Sequence, residues 1–180
     1  MNCKIKLSDI FINTFILGIL ASFSHYAYQL SGENAIAGLF NPTNESVWEH
    51  LKFMFFPFIL WWAAIFFLKR NNCIIPAKTA VFSAAISLIA APLSVILLFY
   101  AYSGALGITS VAIDIPLVFI SYFIALSFAA HLLKYTNPPK PFVYLAVFAI
   151  FALFAAFMVF TKTPPNLPIF TDFSAPSARY

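Results

Sequence analysis

The sequence predicts an all-α fold, a polytopic transmembrane bundle of five helices. Of its 180 residues, 62% are hydrophobic and only 9% are charged, whereas about 25% are charged in an ordinary soluble domain. A soluble particle of this size has too little interior to hide so much apolar surface, but a bilayer accepts it. The apolar residues also form five long stretches of the length that crosses a bilayer. We therefore predict a single integral membrane domain over residues 1–180.

The five predicted spans follow one another with short connections. They cover residues 9–30, 46–68, 79–102, 108–133 and 142–161. The segment 162–180 is rich in proline, and we expect it to form an extended tail outside the membrane. The apolar segment 34–40 is too short to cross and is expected at the outer interface.

The distribution of basic residues predicts the orientation. They precede the first span and occupy the second and fourth connections, at Lys4, Lys6, Lys69, Arg70, Lys78, Lys134 and Lys140. The segments 31–45 and 103–107, which form the other two connections, contain neither Lys nor Arg. Because cytoplasmic loops carry the positive excess, we predict a cytoplasmic N-terminus and a C-terminus outside.

The net charge of +4 does not predict a nucleic-acid partner, because the ten basic residues are scattered in ones and twos. The lipid bilayer is the partner that the composition indicates, and protein partners stay open. Cys3 and Cys73 fall in segments predicted to be cytoplasmic. We therefore expect reduced thiols and no disulfide.

Prolines and small residues predict how the spans pack. Pro57, Pro92 and Pro116 lie inside spans, and each frees the carbonyl four residues earlier, which neighbouring groups must satisfy. Small residues at four-residue spacing place the third span at the bundle centre; these are Ser83, Ser87 and Ala91. The fifth span is expected to face lipid with its phenylalanines, Phe142, Phe148, Phe151, Phe154, Phe157 and Phe160.

Titratable residues on three spans are predicted to converge. His25, His50 and Asp114 all lie roughly 6 to 9 Å below the outer surface, at a rise of about 1.5 Å per residue. Because such groups are costly inside a membrane, we expect them to meet. They are candidate ligands for a divalent metal, and with Glu49 they are candidate acids and bases. A structural polar network and a transport path are the alternatives.

The run 44–52 reads Asn-Glu-Ser-Val-Trp-Glu-His-Leu-Lys and admits two interpretations. In the structural one, Ser46 caps the second span and Glu49 closes a Ser-x-x-Glu capping box. Glu49 then pairs with Lys52 across one turn, and Trp48 anchors the membrane interface. This interpretation leaves His50 unexplained.

In the functional interpretation, Glu45, Glu49 and Lys52 form one helical face. His50 lies about 100° around the helix from Glu49 and can meet residues of other spans.

This run, with Phe55-Phe56-Pro57 after it, resembles a family of small multi-pass bacterial membrane proteins of unknown function. The segment 164–172 is similar to the proline-rich ending of that family, although a glycine that commonly follows is missing here. The resemblance implies the bacterial cytoplasmic membrane and no particular activity. It identifies signature residues of the family without assigning them a role; these are Asn44, Glu45, Trp48, Glu49, His50 and Lys52.

The sequence defines no reaction, and whether the protein is an enzyme stays open. The leading hypothesis is an outward-facing His/carboxylate site, assisted by a metal, that acts on a lipid or other amphiphile. The rival is a non-catalytic membrane subunit whose signature run docks a partner. A small transporter ranks lower, because no charged path continues from the cluster to His131.

Overall fold

The computed structural model describes residues 6–68 and 75–172, and its regular structure there is helical throughout. The five long helices are α1 (Leu7–Leu30), α3 (Val47–Leu68), α4 (Ala77–Leu106), α5 (Val111–Tyr135) and α6 (Lys140–Lys162). The short helix α2 (Ala35–Phe40) precedes α3, and a 3-10 turn (Pro168–Phe170) follows α6. Each long helix has the length and hydropathy of a membrane span. The predicted five-helix membrane architecture is therefore confirmed, while Cys3, Cys73 and positions 173–180 lie outside the described residues.

Helices α1 and α3 run antiparallel. Near the start of α1, Asn13 accepts a hydrogen bond from the indole of Trp61, near the end of α3, at 3.0 Å. At the other end of the pair, the rings of His25 and His50 stack with their centroids 5.2 Å apart. We call this second end, where α1, α4 and α6 finish and α3 and α5 begin, the cluster end.

Helices α3 and α4 lie at the centre of the bundle. Helix α4 packs against α3, α5 and α6, and α1 fills the space between α3 and α5. Ser83, Ser87 and Ala91 of α4 are completely buried, as their small size and spacing predicted. The indole of Trp62 donates to the Ser87 hydroxyl at 2.9 Å, which joins the two central helices.

A tyrosine from α5 compensates for the proline inside α3. Pro57 cannot donate to the carbonyl of Phe53, and the hydroxyl of Tyr122 donates to that carbonyl at 2.8 Å instead. Tyr122 itself is completely buried. For this carbonyl, the expectation that a neighbouring helix supplies the missing donor is confirmed.

Helix α6 presents most of its phenylalanines outward, with one clear exception. Phe142 and Phe148 are exposed on the surface of the bundle, whereas Phe157 is completely buried. The expectation that Phe157 faces lipid is wrong, because the end of α6 packs against the start of α3. There, the Phe157 ring contacts Trp48 with a centroid distance of 4.9 Å.

The tail after α6 folds back over the bundle. Its 3-10 turn (Pro168–Phe170) packs against α3, and the ring of Phe170 lies 5.0 Å from that of Trp48. The expected fully extended tail is therefore wrong over this turn. Trp48 lies between α6 and the tail, where aromatic packing holds it, and its role as an anchor at the membrane interface stays a prediction.

Candidate metal and ligand site

The signature run starts before α3 and caps its first turn. The Ser46 hydroxyl accepts a hydrogen bond from the backbone N–H of Glu49 at 3.2 Å, as an N-cap should. The return half of the predicted capping box is wrong, because the N–H of Ser46 donates to Asn44 Oδ1 at 3.0 Å. The Glu49 carboxylate is thus free for other partners.

Glu49 and Lys52 form the predicted pair, and the pair is buried. Their side chains are 4% and 0% exposed, and Lys52 Nζ lies 2.6 Å from Glu49 Oε2. The ammonium group also donates to the carbonyls of Gly38 at 2.8 Å and Asn41 at 3.4 Å. Its three N–H groups therefore have three acceptors, which is what a buried ammonium requires.

The other contacts of Glu49 are structural as well. Its Oε2 accepts hydrogen bonds from both the N–H and the hydroxyl of Thr43 at 2.9 Å. Its Oε1 accepts from Thr161 of α6 at 3.3 Å. Glu49 therefore joins the loop before α3 to the end of α6, and the structure does not bring this catalytic candidate to the histidines.

The same loop is tied to α1 next to His25. Asn41, whose carbonyl accepts from Lys52, receives a second hydrogen bond on its side chain from Ser24, at 2.7 Å. Ser24 directly precedes His25 in the chain. The buried pair thus fixes the loop that spans from α1 to α3 at the cluster end.

His25, Glu45 and His50 form a compact group, here called the cluster. Glu45 Oε2 lies 3.2 Å from His50 Nε2, and Glu45 Oε1 lies 4.0 Å from His25 Nε2. One ligand atom from each residue lies within 4.8 Å of the others. The predicted common face of Glu45, Glu49 and Lys52 is wrong, because Glu45 precedes the first helical residue and turns toward the histidines.

Backbone contacts fix the orientation of His50. Its Nδ1 lies 2.8 Å from the carbonyl of Ser46. A carbonyl can only accept, so this contact is a hydrogen bond when Nδ1 carries a proton, and it directs Nε2 toward Glu45. His25 Nδ1 is buried without a hydrogen-bond partner in the described part of the chain, which marks a polar position that a water or ligand would satisfy.

The cluster forms one end of a cavity of about 420 Å³ between α1, α3, α4 and α5. Most of its wall is apolar, including Phe53, Val95 and Val118. Gly18 of α1 also lines it, and the ring of Phe119 lies so close that a Cβ at Gly18 would overlap it. An apolar cavity with a few polar groups at one end is typical of a ligand site.

Asp114 lines the same cavity but is not part of the cluster. Its Oδ1 accepts a hydrogen bond of 2.5 Å from the hydroxyl of Tyr102, which in turn accepts from the N–H of Ser110 at 3.2 Å. The structure thus groups Glu45, and not Asp114, with the two histidines as candidate ligands. His131, at the opposite end of α5, is exposed and packs on Tyr135.

Sequence reasoning did not single out Tyr102, and it grouped Glu45 with Glu49 and Lys52 on a helical face instead of with the histidines. Tyr102 sits in the last turns of α4 beside the Lys-free and Arg-free turn into α5. A polar aromatic residue at that depth was the signal that could have paired it with Asp114.

A family model described as a family of unknown function (DUF6512) matches residues 3–178. No curated protein matches the chain, and no solved structure matches it.

Proposed function

We propose that this chain, which belongs to the family of unknown function DUF6512, binds a divalent metal ion and acts through it on a lipid or other amphiphile. The proposed ligands are His25, Glu45 and His50. The observation that carries the proposal is the position of these three donor groups, within 4.8 Å of one another at the polar end of an apolar cavity. This combination suits an amphiphile whose polar head meets a metal ion.

The donor set favours a borderline metal ion such as Zn²⁺. Two imidazoles and one carboxylate are common zinc ligands, at about 2.0–2.2 Å from the ion. In tetrahedral coordination, ligand atoms bound at that length lie about 3.4 Å apart, so the three donor atoms, which now lie within 4.8 Å of one another, must close by up to about 1.4 Å to bind the ion. The contact of His50 Nδ1 with the Ser46 carbonyl is the usual second hydrogen bond that orients a metal-binding histidine.

Three protein ligands leave a coordination position for another molecule. In catalytic zinc sites, that position holds water or substrate, and the ion polarises a bound oxygen. Here the cluster borders the cavity, so an oxygen of the amphiphile head would occupy it. The apolar walls formed by residues such as Phe53 and Val118 would then hold the hydrocarbon part.

We further propose that the cluster end faces outward from a bacterial cytoplasmic membrane, with the N-terminus in the cytoplasm. Lys6, Lys78, Lys134 and Lys140 all lie at the opposite end of the bundle. Lys162 stands at the cluster end but is outnumbered. The positive-inside rule therefore supports this orientation, and the sequence resemblance supports the bacterial membrane.

The test is the metal content of the purified protein. The chain is purified in detergent, loaded with Zn²⁺, desalted and analysed by inductively coupled plasma mass spectrometry. We expect about one tightly held ion per chain, its loss in His50→Ala and in Glu45→Gln, and its retention in the matched control His131→Ala. Circular dichroism and gel filtration check that each variant is folded. A folded His25→Ala/His50→Ala double variant that still holds one ion would overturn the proposal.

A further inference from the structure

We propose that the cavity takes an uncharged amphiphile with a hydroxyl-bearing head, and that Asp114 is a specificity residue that binds this hydroxyl. The inference rests on the proposed function, because the metal ion would hold the other oxygen of the same head. A monoacylglycerol, which carries an ester carbonyl and free hydroxyls, is a ligand of this chemistry.

The charges around the cavity disfavour an anionic head. Glu45 and Asp114 both line it, while none of the lining residues in the described chain is Lys or Arg. The nearest ammonium in the signature run, that of Lys52, is completely buried and already has three acceptors. A phosphate head would therefore meet two carboxylates and no mobile cation.

With the ion bound, the site carries no net positive charge that could balance an anionic head. A divalent cation and the two carboxylates of Glu45 and Asp114 sum to zero formal charge when the histidines are neutral. An uncharged head adds no further charge to this environment, whereas a phosphate or carboxylate head adds an uncompensated negative charge in a largely apolar cavity.

Asp114 offers a specific acceptor for a hydroxyl group. Its Oδ1 is occupied by the Tyr102 hydroxyl, and its Oδ2 has no hydrogen-bond partner among the residues that the structure describes. Thr109 and Ser110 line the cavity beside it, so this wall is polar without carrying positive charge. An ionised carboxylate accepts only, and it therefore selects a ligand group that donates.

The cluster and Asp114 thus form a two-point site. His25, on α1, and His50, on α3, would hold the ion that receives the carbonyl oxygen, and Asp114, on α5, would receive a hydroxyl of the same head. Because the two contacts come from different helices that line one cavity, a ligand must carry both groups to use both. This requirement distinguishes a monoacylglycerol from a simple hydrocarbon chain.

The experiment compares three probes on the zinc-loaded, full-length protein in detergent, with native mass spectrometry as the readout. The probes are 1-monooleoylglycerol, oleate and 1-oleoyl lysophosphatidate, which share one acyl chain and differ in the head. We expect monooleoylglycerol to bind at least about tenfold more tightly than either anion. Oleate lacks the hydroxyl that Asp114 would accept, and lysophosphatidate brings an uncompensated negative charge into the cavity. Equal or tighter binding of either anion overturns the inference.

The variant Asp114→Asn tests the role of the carboxylate. Asparagine keeps an oxygen that can accept from Tyr102, but it replaces the second acceptor with an N–H donor, so the local fold is retained. We expect monooleoylglycerol to bind about tenfold more weakly while the metal content stays unchanged. The matched control Asp9→Asn, at the opposite end of α1 where the carboxylate accepts from the N–H of Lys6, should change neither.

Metal content, measured on the same samples, separates the two proposals. One ion per chain with no preference for monooleoylglycerol, or with no effect of Asp114→Asn, overturns this inference alone. The absence of a bound ion overturns the proposed function, and this inference with it.

Discussion

The hydroxyl of Tyr122 on α5 donates a hydrogen bond to the carbonyl of Phe53 on α3, at 2.8 Å, four residues before Pro57. In water, such a freed carbonyl would be solvated, but inside a bilayer it needs a donor from the protein. Phe53 also lines the cavity next to the cluster. The bond therefore stabilises the proline-containing turn of α3 beside the candidate site.

We expect Tyr122→Phe to lower the free energy of unfolding by about 1 kcal/mol, because the Phe53 carbonyl loses its donor while the packing is kept. The measurement is the unfolding equilibrium of the purified protein in mixed micelles. Tyr144→Phe is the control, because Tyr144 is 68% exposed. Equal effects of the two substitutions would contradict the role assigned to Tyr122.

Removal of the Lys52 ammonium should be much more damaging. In Lys52→Met, the Glu49 carboxylate stays buried without its cation, and we expect a loss of about 3–5 kcal/mol or failure to accumulate. The double variant Glu49→Gln/Lys52→Met should recover much of that loss because no isolated charge remains. Lys78→Met, at an exposed position, is the control. A double variant as unstable as Lys52→Met alone would contradict a paired-charge explanation.

Gly18→Ala should disturb the cavity wall. A Cβ at this position overlaps the Phe119 ring, and overpacking of this kind typically costs about 1–3 kcal/mol. We expect a lower unfolding temperature, with partial recovery in Gly18→Ala/Phe119→Leu. The control is Gly104→Ala, because an added Cβ there meets nothing within 4 Å. A fully stable Gly18→Ala protein would show that the Phe119 ring, which lines the cavity, moves aside without cost.

The proposed orientation predicts which end of the bundle is accessible from outside the cell. In a background without Cys3 and Cys73, Ser103→Cys should react with a membrane-impermeant maleimide in intact cells. Thr136→Cys, which follows the last residue of α5 at the other end, should react only after permeabilisation. The reverse pattern would invert the orientation and place the cluster at the cytoplasmic face.

Hydropathy and length predicted the five long helices because both are properties of one continuous segment and do not depend on its neighbours. The depth argument likewise indicated that His25 and His50 lie at the same level, and their rings stack. Depth does not give the direction of a side chain around its helix. It therefore grouped Asp114 with the two histidines, whereas the residue lines the same cavity outside the cluster and has Tyr102 as its partner.

Other features depend on contacts that no local pattern records. Glu45 turns toward the histidines because α3 begins only at Val47, so the helical periodicity that placed Glu45 on one face with Glu49 and Lys52 does not extend to it. Trp48 is packed under the returning tail. The path of that tail follows from aromatic contacts between segments about 120 positions apart. A prediction made for each segment separately cannot include such contacts.

The position of Glu49 and Lys52 within the same nine residues as His50 affects how a genetic screen would be interpreted. Substitutions of the buried pair would abolish the phenotype by reducing the amount of protein in the membrane, because the pair joins α2, α3 and α6. Substitutions of His50 would leave the amount of protein unchanged and remove one of the three proposed metal ligands. Immunoblots of membrane fractions would distinguish substitutions that lower the amount of protein from substitutions that alter the cluster. The phenotype alone would not distinguish them.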